Sequence, residues 1–279
     1  MLKRDEIRIR DPFILTDAEN GCYYMYGTTA LEPGSIAAKN SFTVYKTRDL
    51  EHFEEGKTVF DGAGTDFWGT YDFWAPEVHV WRGKYYLFGS CKSEAHHRGT
   101  QIFVCDTPDG AFVPVSDRAA TPADWECLDG TLCVWDGVPY LVFSHEWTQV
   151  GDGEICAVRL SDDFSQTVGE PFLLFRASDN PDVSEIQHTG SGKYVTDGPF
   201  LYREDGKLKM IWSSFYRGRY LVLEAEADSL GGTWTHRGSR FDFDGGHAML
   251  FYTLEGERMI SLHRPNKPHG AERAAFFKY

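Results

Sequence analysis

The sequence predicts an all-β fold, a five-bladed β-propeller of four-stranded antiparallel blades around a central funnel, and three observations predict it. A degenerate unit recurs about every 50 to 65 residues through the 279-residue chain, and a fixed repeat of that length marks a radial or stacked architecture. Each unit reads as a β-hairpin: an alternating apolar strand, a turn at Gly or Asp-Gly, and an aromatic-rich return strand. No stretch of ten or more residues carries a capped 3.6-residue period, so helix should be scarce.

The first hairpin is Asp11-Pro12-Phe13-Ile14-Leu15, a turn ending at Gly21, and Tyr23-Tyr24-Met25-Tyr26-Gly27. The second runs from Trp74-Ala75-Pro76-Glu77-Val78 through Gly83 to Tyr85-Tyr86-Leu87-Phe88. The third runs from Leu128-Asp129-Gly130-Thr131 through Asp136-Gly137 to Tyr140-Leu141-Val142-Phe143. The fourth links Asp197-Gly198-Pro199-Phe200-Leu201-Tyr202 through Asp205-Gly206 to Met210-Ile211-Trp212-Ser213, and the fifth links Gly245-Gly246-His247-Ala248 through Gly256 to Met259-Ile260-Ser261. Third strands are expected at 42–45, 101–104, 155–158 and 220–223, and four strands repeated radially describe a propeller blade. No low-complexity or Pro/Ser-rich linker divides the chain, so residues 1–279 are expected to form one propeller domain.

Composition narrows the partner. A formal charge of -14 argues against nucleic acid and anionic membranes, which select basic faces; a small neutral or cationic ligand fits better. Eight Trp and fourteen Tyr exceed what strand packing alone asks for, and the surplus suits flat platforms on which sugar rings stack. The cysteines Cys22, Cys91, Cys105, Cys127, Cys133 and Cys156 form no CxxC pair and sit in strand-like runs. Buried free thiols and a charged N-terminus without an apolar secretion segment predict a cytoplasmic protein.

In a propeller the inner strands all start at one mouth of the funnel, and here those starts carry Asp11, Glu77, Asp129, Asp197 and the run Asp244 to His247. One Asp before a strand is ordinarily a turn residue; four carboxylates at nearly one structural position argue for a site. Second strands return to the same mouth, bringing Ser90, His145-Glu146-Trp147 and Ser213-Ser214. Converging carboxylates in an aromatic funnel suit glycosidic cleavage, in which one group protonates the leaving oxygen and another activates water. Arg10, Phe73, Trp74, Glu77, Arg98 and Trp147 flank the predicted mouth and are the candidate sugar contacts. The adjacent His96 and His97 lack zinc-site spacing and read as a loop.

Arg10-Asp11-Pro12-Phe13-Ile14, Trp74-Ala75-Pro76-Glu77-Val78, Leu128-Asp129-Gly130, Asp197-Gly198-Pro199-Phe200 and Gly245-Gly246-His247 resemble, in order and spacing, the motifs of glycoside hydrolase family 43. The resemblance implies a hydrolase that removes arabinofuranosyl or xylosyl units from plant-type oligosaccharides with inversion. It implies that Asp11 is the general base and that Asp129 tunes and orients the acid. The family's acid is usually a Glu before Gly-Pro, and Asp197 fills that slot one methylene short. Either Asp197 serves with a backbone shift, or the acid is Glu146, with burial beside Trp147 and nearness to Asp129 raising its pKa; the second is the preferred expectation. No cofactor is implied for the chemistry, but His247 matches a histidine that helps hold a structural Ca2+ through water near the axis. The altered acid also suits a carbohydrate-binding propeller that has lost the chemistry, and loops at 30–40, 94–99 and 179–192 would set exo or endo action.

Overall fold

The computed structural model describes residues 1–29, 40–186, 191–216 and 218–279, so the loop expected at 30–40 lies outside the described residues except for Asn40, as do 187–190 of the later one. The strands form five antiparallel sheets that follow one another along the chain. Each inner strand packs on that of the next blade, and the fifth packs on the first. The ring is therefore a closed five-bladed propeller.

The inner strands are Arg10–Asp17, Tyr71–Trp81, Cys127–Trp135, Asp197–Glu204 and Gly246–Tyr252, and each pairs with its hairpin partner. All four expected third strands are present, within Ser41–Thr47, Gly99–Cys105, Glu154–Leu160 and Arg219–Ala227. Among the described residues, blades two to four have the four strands expected, whereas the first has six and the fifth three. In the first, Lys57–Asp61, His52–Phe53 and Leu2–Lys3 share the outer edge, which staggers and covers it. Among the described residues helix is scarce: the turn Trp147–Val150 and short 3-10 stretches such as Arg4–Glu6 and Ala177–Asp179. The hairpin turns have the chemistry of the residues that predicted them: Asp136-Gly137 and Asp205-Gly206 have positive φ at both positions, as a two-residue hairpin that follows strand twist requires.

Four apolar clusters fill the wedges between blades. Phe13, Tyr26, Phe42 and Phe73 belong to the first, Phe88 and Phe143 to the second, Phe175 and Trp212 to the third, and Leu250 and Ile260 to the fourth. The six cysteines are free, and all but Cys105 are buried.

Every inner strand opens with the same irregularity. Asp11, Ala75, Asp129, Gly198 and His247 have φ of 54°, 45°, 56°, 52° and 52°, and each lies where the ladder slips, between Arg10 and Phe13, Trp74 and Glu77, Leu128 and Thr131, Asp197 and Phe200, and Gly246 and Met249. Such bulges re-aim a side chain and are common beside active sites. A left-handed conformation costs a non-glycine residue about 1–2 kcal/mol, so the neighbours must hold it. They do so across blades: the amides of Ala75, Asp129 and His247 donate to Thr28 Oγ1 at 2.7 Å, Ser90 Oγ at 2.9 Å and Ser213 Oγ at 2.8 Å, and that of Asp11 to His263 Nδ1 at 3.2 Å.

The join between the last blade and the first depends on Glu272, whose side chain is fully buried and accepts from Arg8 at 3.3 Å, Arg10 at 3.2 Å and the Gly270 amide at 2.6 Å. Its backbone carbonyl takes the Ile9 amide. Removing one member of a buried charged cluster leaves the others uncompensated. Glu272→Ala is therefore expected to destabilise the propeller by about 3–5 kcal/mol, seen as a lower urea midpoint at an unchanged slope.

Candidate active site

The inner-strand starts surround a cavity of about 290 Å³ at the mouth of the funnel. Asp11, Asp129 and Asp197 enter it from blades one, three and four, His247 from blade five, and Glu146 from the end of the second strand of blade three. The two positions with a left-handed Asp are occupied by a residue type whose short polar side chain tolerates that conformation. Gly198 has no such latitude to lose. A Cβ there would lie 2.8 Å from the His247 ring, and its amide donates to Asp129 Oδ2 at 3.0 Å.

The environment separates the carboxylates. Burial works against the charge of Asp11, but His247 and Arg10 beside it outweigh burial and hold the group well below the usual carboxylate range. Its Oδ1 is 3.3 Å from His247 Nδ1 and its Oδ2 accepts from Thr28 Oγ1 at 2.6 Å. Asp129 is driven the other way, by burial and then by the charge on Asp11. Asp197 is pushed up to about 7 by burial and by Asp129, against the pull of His247 and of a hydrogen bond from Tyr220 Oη at 3.0 Å. Burial lowers His263, which fits a neutral ring whose Nδ1 accepts the Asp11 amide while Nε2 faces Asn266 Oδ1 at 3.3 Å. An ionised and a protonated carboxyl in one cavity are the pair that acid–base chemistry requires.

Residues 6–276 match the family model described as glycosyl hydrolases family 43. The chain belongs to that family. Among solved structures, an endo-arabinase from Bacteroides thetaiotaomicron is 40% identical, with a TM-score of 0.91 over 100% of this chain and 96% of that one. An α-L-arabinofuranosidase from Lactobacillus brevis is 17% identical, with a TM-score of 0.76 over 98% of this chain and 90% of that one, and shares the fold. A curated extracellular exo-α-(1→5)-L-arabinofuranosidase from Streptomyces avermitilis is 24% identical over 237 residues. That match takes in 81% of this chain and 46% of the relative, so the family 43 chain spans about half the length of the curated protein it matches.

Several expected site residues stand elsewhere. Only Asp11 and Asp129 share a register; Asp197 precedes its bulge and Glu77 follows its own by two residues. Glu77 is consequently buried between the blades, accepting from Thr131 Oγ1 at 2.6 Å and facing His79 Nε2 at 2.9 Å, and does not line the cavity. Phe73 does not line it either, because strand alternation sends Phe73 into the aromatic cluster with Phe42, Phe60 and Phe67 and Trp74 to the cavity. Arg98 lies behind the wall, 4.2 Å from the Trp74 ring. It reaches Glu146 Oε2 at 2.5 Å and Asp72 Oδ2 at 2.9 Å. Glu146 thus lines the cavity as the partner of a guanidinium, where an apolar setting had been expected. Arg10, Trp74 and Trp147 line the cavity wall.

The wall also holds residues that the sequence reading did not single out, among them Thr28, Tyr220, Asn266, Lys267 and His269. The last three belong to a loop held by Asp244, which accepts the amides of Asn266 and Lys267, both at 2.9 Å. His247, expected to help hold a calcium ion through water, is enclosed by carboxylates. Its Nδ1 faces Asp11 and Asp129, Asp11 already accepts from Thr28 and Asp129 from Gly198, and calcium takes six to eight oxygens. Among the described residues no three His, Cys, Asp or Glu side chains are arranged to hold a metal.

Two outcomes test this geometry. Gly198→Ala forces both a strained φ and a clash with His247, and should abolish activity and cost about 2 kcal/mol or more, measured by denaturant unfolding. Asp197 binds a proton in the native state from its ordinary 3.8 up to about 7, so the native state loses stability relative to an uncharged isostere as pH rises through that window. The advantage in Tm of Asp197→Asn over the wild type should widen from pH 4 to pH 7 and then level off.

Proposed function

We propose that this family 43 chain is a glycoside hydrolase acting on arabinofuranosyl linkages of plant-type oligosaccharides by single displacement with inversion. The observation that carries the reading is the split between Asp11, held ionised, and Asp197, protonated below about 7, across one cavity. Asp11 takes the proton of a water molecule as it attacks the anomeric carbon. Asp197 gives its proton to the departing glycosidic oxygen. The two sit on non-adjacent blades, one and four, leaving room for sugar and water between them; inversion asks for roughly 6.5–9.5 Å. Asp129 acts through its neighbours: its carboxyl keeps Asp197 protonated and takes the Gly198 amide, fixing the backbone that carries the acid.

The assignment of the acid to Asp197 rather than Glu146 rests on partners. Glu146 is committed to the Arg98 guanidinium, which holds its carboxyl against the wall behind Trp74. Glu146 and Arg98 instead brace Trp74, and Trp74 and Trp147 supply the apolar faces for sugar rings. The preference for arabinofuranosyl over xylosyl units is supported by the 40% identical Bacteroides relative, an endo-arabinase. Cytoplasmic placement is supported by the free thiols, whereas the Streptomyces relative is by name extracellular; fractionation of the native host decides it.

Nitrophenyl α-L-arabinofuranoside, nitrophenyl β-D-xyloside and arabino-oligosaccharides should be tested with the wild type, Asp11→Asn, Glu146→Gln and Asp197→Asn. Asp11→Asn should lose about 10²–10⁴-fold in kcat/KM, and Asp197→Asn a comparable factor on oligosaccharides. Glu146→Gln should act mainly on KM. Wild-type activity should fall above pH about 7, as Asp197 gives up its proton. Sugar binding without turnover of any of these glycosides would instead support a carbohydrate-binding propeller.

A further inference from the structure

We propose that Tyr220 is the positioning residue of the general acid, fixing the Asp197 carboxyl so that one defined oxygen carries the proton to the leaving group; this rests on Asp197 being the acid. A carboxylic acid has one oxygen that donates and one that accepts, and an unconstrained group can interchange them or rotate. Tyr220 Oη donates to Asp197 Oδ2 at 3.0 Å, which makes Oδ2 the accepting oxygen and leaves Oδ1 to hold the proton. The sequence supplies the short acid, and Tyr220 restrains it where the cavity would otherwise leave its end free.

Tyr220 is itself held on every side. It is buried, at 3% exposure, and lies at the start of the third strand of blade four, paired with Phe215. Its amide donates to Asp244 Oδ1 at 3.1 Å and its carbonyl accepts from the Gly245 amide at 2.8 Å. The phenol ring stacks on His263 with centroids 5.8 Å apart and planes at 18°. The other face of the site is cut to fit it: a Cβ on Gly246 would lie 2.5 Å from the Tyr220 ring, so only glycine allows the approach. Pre-orientation of this kind is worth much in catalysis, since a misplacement of about 1 Å can cost on the order of 10²-fold. The remaining groups that bear on Asp197 are Asp129 and Glu146, which favour its protonated form, and His247, which opposes it.

Tyr220→Phe keeps the ring, its stack and its fit beside Gly246 while removing only the hydroxyl. The test compares wild type, Tyr220→Phe and Asp197→Asn on an α-1,5-arabino-oligosaccharide, whose leaving group needs protonation, and on 2,4-dinitrophenyl α-L-arabinofuranoside, whose leaving group does not. Thermal unfolding of each variant establishes that it is folded. The expected result for Tyr220→Phe is a loss of about tenfold or more in kcat on the oligosaccharide, little change on the dinitrophenyl glycoside, and a basic limb of the pH profile moved upward, since the lost hydrogen bond favoured the ionised acid. Equal losses on both substrates, or an unmoved limb, would overturn the proposal and leave Tyr220 a packing residue. If Asp197→Asn itself loses activity equally on both substrates, the assignment of the acid fails and the proposal with it; a leaving-group dependence in Asp197→Asn but not in Tyr220→Phe sinks the proposal alone.

Discussion

Three aspartates share one buried cavity, and like charges in a region of low effective dielectric cannot all be ionised. At 4 Å two unit charges repel by about 4 kcal/mol even at an effective dielectric of 20. The protein resolves the conflict by placing its cations to one side. Arg10 lies beside Asp11 and His247 Nδ1 is nearer Asp11, at 3.3 Å, than Asp129, at 3.6 Å, whereas Asp197 has Asp129 beside it. Burial and then the charge on Asp11 raise the pKa of Asp129, and burial and then Asp129 raise that of Asp197. Acid and base are made by one asymmetry in what surrounds each carboxyl.

That asymmetry needs a ring whose blades are nearly, but not fully, equivalent. A left-handed non-glycine residue at an inner-strand start is strained, yet the conformation turns Asp11, Asp129 and His247 into one cavity. The amide exposed at four of these bulges is caught by the second strand of the preceding blade, through Thr28, Ser90, Ser213 and His263. Burial offers no water as an alternative partner, so these bonds set the spacing of the blades as well as the aim of the side chains.

The architecture was legible in the sequence because its signals are local: alternating strands, Asp-Gly turns and a repeat long enough for a blade. Asp11 and Asp129 were legible for the same reason, since each occupies the bulge itself. Glu77 and Phe73 were not, because a strand reverses its facing at each residue and a one-residue bulge shifts that alternation. No pattern of types in Trp-Ala-Pro-Glu says which side of the slip the Glu falls on. Glu146 misled for another reason. Its neighbour in the chain is Trp147, but its neighbour in space is Arg98, 48 residues away. Tyr220 carried a signal that was read only as strand propensity: a Tyr at the mouth end of a third strand has a hydroxyl that must find a partner once buried.

The one blade that breaks the ring of amide bonds shows what the near-symmetry is for. Ser144 stands where Ser90 and Ser213 stand in their blades, opposite Leu128 just before the bulge, and by analogy should accept the amide of Gly198. That amide goes to Asp129 Oδ2 instead, and Ser144 Oγ is buried without a hydrogen-bond partner among the described residues. An unmet buried hydroxyl costs about 1–3 kcal/mol. The diversion brings a donor to the Asp129 carboxyl and ties the blade carrying it to the backbone carrying Asp197. The structural bond is given up at the single link of the ring where the amide adjoins the acid, so stability is spent where proton transfer requires the two carboxyls to keep a fixed relation.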